Sequence, residues 1–534
     1  MTATGFPLLS LVIMMLPVGA GLIWLAPDPA RARWIALLTA LLDLVLTLLI
    51  MLRFDSTSGG FQFVEQHAWI PSLNIQYLVG VDGMSVLFLP LTVLLFIAVI
   101  LASWTSVRSL PRLYYTLLLI LESATLGIFC ALDTILFFLF WELTLVPIFF
   151  LISLWGIGPH RRYAAVKYTL MMLTGGVPLL FGFLLLAFNH AGTATGGITH
   201  ALLFSYPELL ASPLPAELQT AVFFLLLLGF AVKAPVFPLH TWLPTLAMEG
   251  PASIAAIMTG LKLGVYGLIR FTVPLAPAAA QEFHWLLAGL GVIGILYGAL
   301  LALSQTNLRP MLAFSSLSHV GLVLLGISAF TLQGIQGALF QLLNFTVVAS
   351  GIFLLSGFLH HRVGSTDVVS LGGVAQRMPL LTAGFFLFGL AAMGVPGTSG
   401  FPAEFLLILS ALDSHTGAGL AALAGVVLGA AYFLGIFRRA FLGPMHNTAV
   451  IEAVDLRRRE LAVMLVLGAL ILAGGLFPNS VLEMTRITSE GWVGQLVISR
   501  SVTGVPDLSG MPADTVLDSA GGRAGMSHIA HINP

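Results

Sequence analysis

Residues 225–271 read LLLLGFAVKAPVFPLHTWLPTLAMEGPASIAAIMTGLKLGVYGLIRF. Two apolar segments are joined by a short connection, and each carries one lysine, Lys233 and Lys262. The chain has three lysines against nineteen arginines, so two of its three lysines lie inside apolar runs. A cation at the bilayer centre costs roughly 2.5–3.5 kcal/mol on insertion scales. An arginine does not usefully release its proton, whereas a buried lysine does. Pro235 and Pro238 follow Lys233, and each removes a backbone donor. Broken helices inside a membrane are tolerated where protein or a water-filled cavity satisfies the freed groups, and ion sites are built at such breaks. The stretch predicts a broken helix, a protonatable amine and water close together.

Composition fixes the class around that stretch. The chain is 58% hydrophobic and 8% charged, which reads as an all-α polytopic membrane protein. A net charge of −1 gives no footing for nucleic acid. A single cysteine, Cys130, excludes an internal disulfide and a cysteine-ligated iron–sulfur cluster carried by this chain alone. The first apolar segment lacks the basic start of a cleaved signal and reads as a retained span.

About fourteen spans are expected, near 6–26, 34–53, 83–105, 112–132, 134–155, 163–188, 219–239, 251–273, 281–304, 310–330, 334–358, 379–411, 416–440 and 459–479. The twelfth is too long for one straight crossing and contains GVPGTSGFP at 394–402, a second break, with Glu404 just beyond it. Fifteen basic residues fall in the odd-numbered connections and five in the other gaps or termini. The positive-inside rule then puts both termini on the outer side. Two breaks five spans apart predict two inverted five-helix repeats, 112–273 and 274–440. The first three spans fill 1–111, a last span and its flank fill 441–500, and 501–534 reads as a disordered tail.

Five buried ionisable residues are the candidate site: Glu142, Lys233, Lys262, His319 and Glu404. Glu142 and Lys233 are the natural ion pair, since opposite charges keep each other ionised. Structural pairing between helices is the competing reading for any one of them. The two lysines, two glutamates and two breaks taken together favour function. Glu122, His240 and Asn344 are possible supporting groups, Asp43 stands outside the repeats, and Asp82 is placed to cap the third span.

The motifs GVDGMS at 80–85, FWELTLVPIFFLI at 140–152, RRYAAVKY at 161–168, AVKAPVFPLHTWLP at 231–244, TGLKLGVYGLIRF at 259–271, AFSSLSHVGLV at 313–323 and PGTSGFPAEF at 396–405 occur in order. In these the chain resembles the antiporter-like membrane subunits of respiratory complex I. Glu404 makes it most similar to the M (chain 4) type, where the L and N paralogues have Lys. The resemblance implies a proton-translocating subunit of NADH–quinone oxidoreductase, an enzyme subunit without redox chemistry of its own. Glu142 and Lys233 would be the switching pair, Lys262 the central relay, His319 a connection and Glu404 the last carrier. NADH, FMN, iron–sulfur clusters and quinone would bind partner subunits, with L- and N-type chains as neighbours in a bacterial inner or thylakoid-type membrane. The chain departs from the family where LPTLAM at 243–248 replaces LPDAH, and where Phe345, beside Asn344, replaces a histidine. Related assemblies remain as alternatives: an Mrp-type cation/proton antiporter, a carbon dioxide-uptake dehydrogenase or a membrane-bound hydrogenase.

Overall fold

The computed structural model describes residues 6–193, 202–212 and 214–503; of the expected tail, 504–534 lies outside the described residues. Twelve described helices are long and apolar enough to cross a bilayer. The first are α1 (Leu8–Leu25) and α2 (Ala32–Arg53). Two expected spans are represented by shorter helices. One is α3 (Phe88–Ser103), which starts late because Asp82–Leu87 forms a turn. The other is Pro379–Ala392, which stops at the 394–399 break and is followed by Gly400–Ser414. Pro111–Cys130 is α4. The most enclosed helices are Ala252–Leu275, Leu308–Ser328 and Leu332–Val363, while Arg458–Leu476 and Thr416–Leu442 keep most of their surface outward.

The chain is not wholly helical. An antiparallel hairpin, β1 (Gln62–Ile70) and β2 (Ile75–Val81), stands between α2 and α3, turning at Asn74 in the left-handed region. It caps the protein's first helix: the two oxygens of Glu65 accept from the amides of Leu9 and Ser10 at 2.7 and 3.0 Å. The flank after the last span, for which the sequence reading named no element, also forms a helix. Helix Asn479–Thr503 lies across the bundle, burying Thr485, Ser489, Trp492 and Leu496 on one face. Its Thr488 hydroxyl accepts from the Gly83 amide, and Trp492 Nε1 donates to the Ile269 carbonyl at 2.9 Å.

The basic residues expected to set topology also tie the connections together at one end of the bundle. Arg112 donates to Ala26, Arg309 to Gly250, and Arg362 to Val454 and Asp455 carbonyls. Arg362 further pairs with Glu460, and Lys167 donates to the Thr241 carbonyl at 2.8 Å.

Arg270, one of the five basic residues that the sequence puts outside the odd-numbered connections, is not a connection charge in the structure. It is 5% exposed, inside a π-turn at Leu268–Thr272, and makes a bidentate pair with Asp82 at 2.6 Å for both bonds. Asp82 also accepts from the amides of Met84 and Ser85 and so closes the turn ahead of α3, whereas the helix itself, with Leu87 at its N-cap, has no side-chain cap, contrary to expectation. Removing one member of such a pair leaves an uncompensated buried charge, at a cost of roughly 3–5 kcal/mol. Asp82→Ala is therefore expected to lower the thermal stability and the amount of assembled chain. Asp82→Leu with Arg270→Met is expected to restore most of it in the same melting measurement. Equal losses in both would refute the pairing as the cause.

Candidate functional site

Lys233, Lys262 and Glu404 each sit at or beside a helix interruption. Lys233 is the last residue of Ala216–Lys233, whose path then turns through Pro235 and Pro238 before Trp242–Glu249 begins. Trp242 Nε1 closes that break by donating to the Val232 carbonyl at 2.9 Å. Lys262 occupies a second break, which the sequence reading passed over as one continuous span: Ala252–Gly260 ends and Leu263–Gly267 begins around it. Glu404 lies in the first turns of Gly400–Ser414, after the third break. His319 alone stands within an unbroken helix, Leu308–Ser328.

The expected Glu142–Lys233 pair is not in contact, since no ion pair within 4.0 Å joins the two. The Lys233 ammonium instead donates to Thr144 Oγ1 at 2.9 Å and to the Trp141 carbonyl at 3.3 Å, and lies 3.9 Å from the Trp141 ring centroid. One oxygen of Glu142 is buried without a hydrogen-bond partner. It rests directly over Gly176, where any Cβ would strike it.

Lys262 is 4% exposed and donates to Ser316 Oγ at 2.5 Å. Phe345, where the resemblance led to a histidine, sets its ring 5.4 Å from that ammonium and 6.0 Å from the His319 ring. A cavity of about 30 Å³ is lined by Ser315, Ser316, His319, Gln341, Asn344 and Phe345. A second, of about 20 Å³, is lined by Ser318, His319, Glu404 and Tyr432. One water needs about 10–15 Å³ of such space, so each cavity admits water. His319 walls both.

The His319 ring is held at both nitrogens. Nδ1 is 2.8 Å from the Ser315 carbonyl, and Nε2 is 2.9 Å from the Ala392 carbonyl and 3.3 Å from Glu404 Oε1. Only the imidazolium offers two donors, so this setting suits a charged ring beside a carboxylate. Asn344 Oδ1 accepts from Ser399 Oγ at 2.6 Å, fastening the third break to Leu332–Val363.

His240 is buried in the first break, stacked 5.9 Å from Phe237, with Nδ1 unpartnered. Thr245, within LPTLAM, takes a hydrogen bond from Lys167 Nζ at 2.9 Å. Glu122 does not join the row; it lies in α4 among the first helices. The sequence reading missed Thr144, Ser316, Gln341 and Ser399, whose small polar side chains inside apolar runs were the available signal. Among the described residues no cluster of three or more His, Cys, Asp or Glu could hold a metal ion.

A bundle of membrane-length helices enclosing lysine, histidine and carboxylate at helix breaks defines a membrane protein of the ion-translocating class. The comparisons agree and give the family. Residues 131–429 match the model described as NADH:quinone oxidoreductase/Mrp antiporter, TM. NADH-quinone oxidoreductase subunit M of Rickettsia conorii is 36% identical over 467 residues, 87% of this chain and 93% of that one. NAD(P)H-quinone oxidoreductase chain 4 1 of Synechococcus sp. (strain JA-3-3Ab) is 38% identical over 503 residues, 92% and 94% of the two chains. A chain of respiratory complex I from Thermus thermophilus superposes with a TM-score of 0.83 at 31% identity, covering 91% of this chain and 99% of its own. The chain belongs to the NADH:quinone oxidoreductase/Mrp antiporter transmembrane family, and the resemblance to the M (chain 4) type stands.

Gly394 has φ +65°, and a Cβ there would meet the Glu404 carboxylate. Gly394→Ala combines backbone strain with a displaced carboxylate, costing on the order of 1–3 kcal/mol. The variant is expected to assemble with a lower melting temperature and to translocate ions poorly, in contrast to the exposed Gly417→Ala, which meets nothing. Native transport in Gly394→Ala would show that the Glu404 position is not critical.

Proposed function

We propose that this chain is the M-type proton-translocating subunit of an NADH–quinone oxidoreductase. It would move protons through Glu142, Lys233, Lys262, His319 and Glu404 while quinone is reduced elsewhere in the complex. The observation that carries the reading is the pair of water-sized cavities joining Ser316, bonded to Lys262, to His319 and Glu404. Lys233 without its counter-charge binds its proton less firmly, so approach and withdrawal of Glu142 would load and unload it. Asn344, Gln341 and water would stand in for a histidine at Phe345. His240 would line the first break.

In this reading the repeats 112–273 and 274–440 are inverted units, each supplying a lysine or carboxylate from a broken helix. The end tied together by arginines faces the cytoplasm and both termini face outward, in line with the excess of basic residues there. The membrane is a bacterial inner or thylakoid-type one. L- and N-type chains adjoin it, and NADH, FMN, iron–sulfur clusters and quinone bind partner subunits.

The test is NADH-driven proton pumping in membrane vesicles holding the assembled complex, native against Lys233→Ala and Lys262→Ala. Loss of a positioned proton carrier typically costs 100-fold or more, so pumping is expected to fall by about that factor in Lys262→Ala. Unchanged pumping in an assembled Lys262→Ala complex would end the relay reading. Pumping of cations without NADH oxidation would instead favour the antiporter branch of the family.

A further inference from the structure

A second set of buried ionisable groups lies in the first helices, away from the row described above. Asp43 on α2 and Glu122 on α4 are both 0% exposed. All four carboxyl oxygens lack a hydrogen-bond partner. Neither residue forms an ion pair within 4.0 Å.

The two acids stand at one depth. Arg112 donates to the Ala26 carbonyl at 2.6 Å and Arg33 to the Trp104 carbonyl at 3.3 Å, which puts the starts of α2 and α4 at the same end. The helices are therefore parallel, and they pack on each other. Asp43 is eleven residues past Ala32, and Glu122 is eleven past Pro111. At 1.5 Å per residue both lie about 16 Å in, near the middle of a hydrocarbon layer about 30 Å thick. Asp43 is the charge that bears on Glu122.

Two unpaired carboxylates cannot both stay ionised side by side in such a place. Nothing nearby neutralises them. The helices α1 and α3, which pack against α2 and α4, carry no titratable side chain. The titratable groups at the ends are spoken for or far: Glu65 caps α1, the Tyr77 hydroxyl of β2 accepts from Ser10, the neutral Cys130 thiol ends α4, and Arg33 and Arg112 donate to carbonyls. A metal ion would need further oxygens, yet Thr47 and Thr125 donate to carbonyls of their own helices and Ser123 to the Ile13 carbonyl. A proton needs only the two acids, one hydroxyl donating to the other carboxylate.

We propose that Asp43 and Glu122 form a second protonation site at mid-membrane depth, holding a proton shared between their carboxyls. Tyr115 supplies its link to the arginine-tied end. It precedes Glu122 by seven residues, two turns along the same face of α4. Its hydroxyl is buried and unpartnered. The site is independent of the Lys262 row and stands whether or not that row translocates protons.

Infrared spectroscopy of the assembled membrane complex at neutral pH, with deuterium exchange, tests this. Native protein is compared with Asp43→Asn, Glu122→Gln and the double variant. The native complex is expected to show a carboxylic-acid C=O band that each single variant alters and the double variant lacks. Tyr115→Phe is expected to slow deuterium exchange of that band several-fold. Identical native and double-variant spectra in this region would overturn the proposal, because both acids would then be ionised. A protonated pair tolerates uncharged amides of the same shape, so failure of the double variant to assemble would overturn it as well. Lys262→Ala is expected to leave the band in place, which separates a failure here from a failure of the relay.

Discussion

Inside a bilayer every backbone amide and carbonyl must find its partner within the protein, and the rest of this structure answers to that constraint. Regular helices meet it unaided. The interruptions that place the functional groups do not, and each is repaired by a specific neighbour. Trp242 takes the Val232 carbonyl freed beside Lys233. Trp492 takes the Ile269 carbonyl left over by the π-turn. The Ser399 amide donates to the Ile471 carbonyl at the third break. The C-terminal helix and the late span Arg458–Leu476 thus support breaks that belong to other parts of the chain.

The same constraint governs the charged side chains. At the ends of the bundle arginines find loop carbonyls; in the middle, charge is met by dipoles and rings. Lys233 has a hydroxyl, a carbonyl and an indole, and Lys262 has Ser316. Neutral partners steady an ammonium without locking it as a carboxylate would. A bidentate contact such as Arg270–Asp82 does lock, and it lies away from the row, under the C-terminal helix. Fixed pairs hold the scaffold, and adjustable contacts line the proposed path of charge.

Much of this was legible in residues alone, because insertion into lipid leaves coarse marks. Apolar length gave the helices, prolines and glycines gave two of the three breaks, and lone lysines pointed to the candidate site. What escaped needed distance information. Lys262 sits in a break with no proline, where Leu261 and Lys262 leave helical geometry. The hairpin at 62–81 was hidden by its position between long apolar runs, though Val79, Val81 and their neighbours alternate as strands do. Arg270 looked like a loop charge because its partner Asp82 is 188 residues away. Asp43 was set aside because one carboxylate in a helix carries no sign of a second at the same depth.

The row's weakest joint is also its most informative. Phe345 sets an apolar ring beside both Lys262 and His319, 5.4 Å from the ammonium and 6.0 Å from the imidazole. The polar surface detours around that ring through Ser316, Gln341 and Asn344, along the wall of the 30 Å³ cavity. Asn344 at the same time accepts from Ser399 at the third break. A shift of that break would bear on Asn344, one of the polar groups that line this cavity. Glu404 lies five residues past Ser399 on the helix that the break begins, so its distance to His319 and the shape of the cavity change together. The contacts of Asn344, His319 and Glu404 are in this way all tied to the position of one interrupted helix.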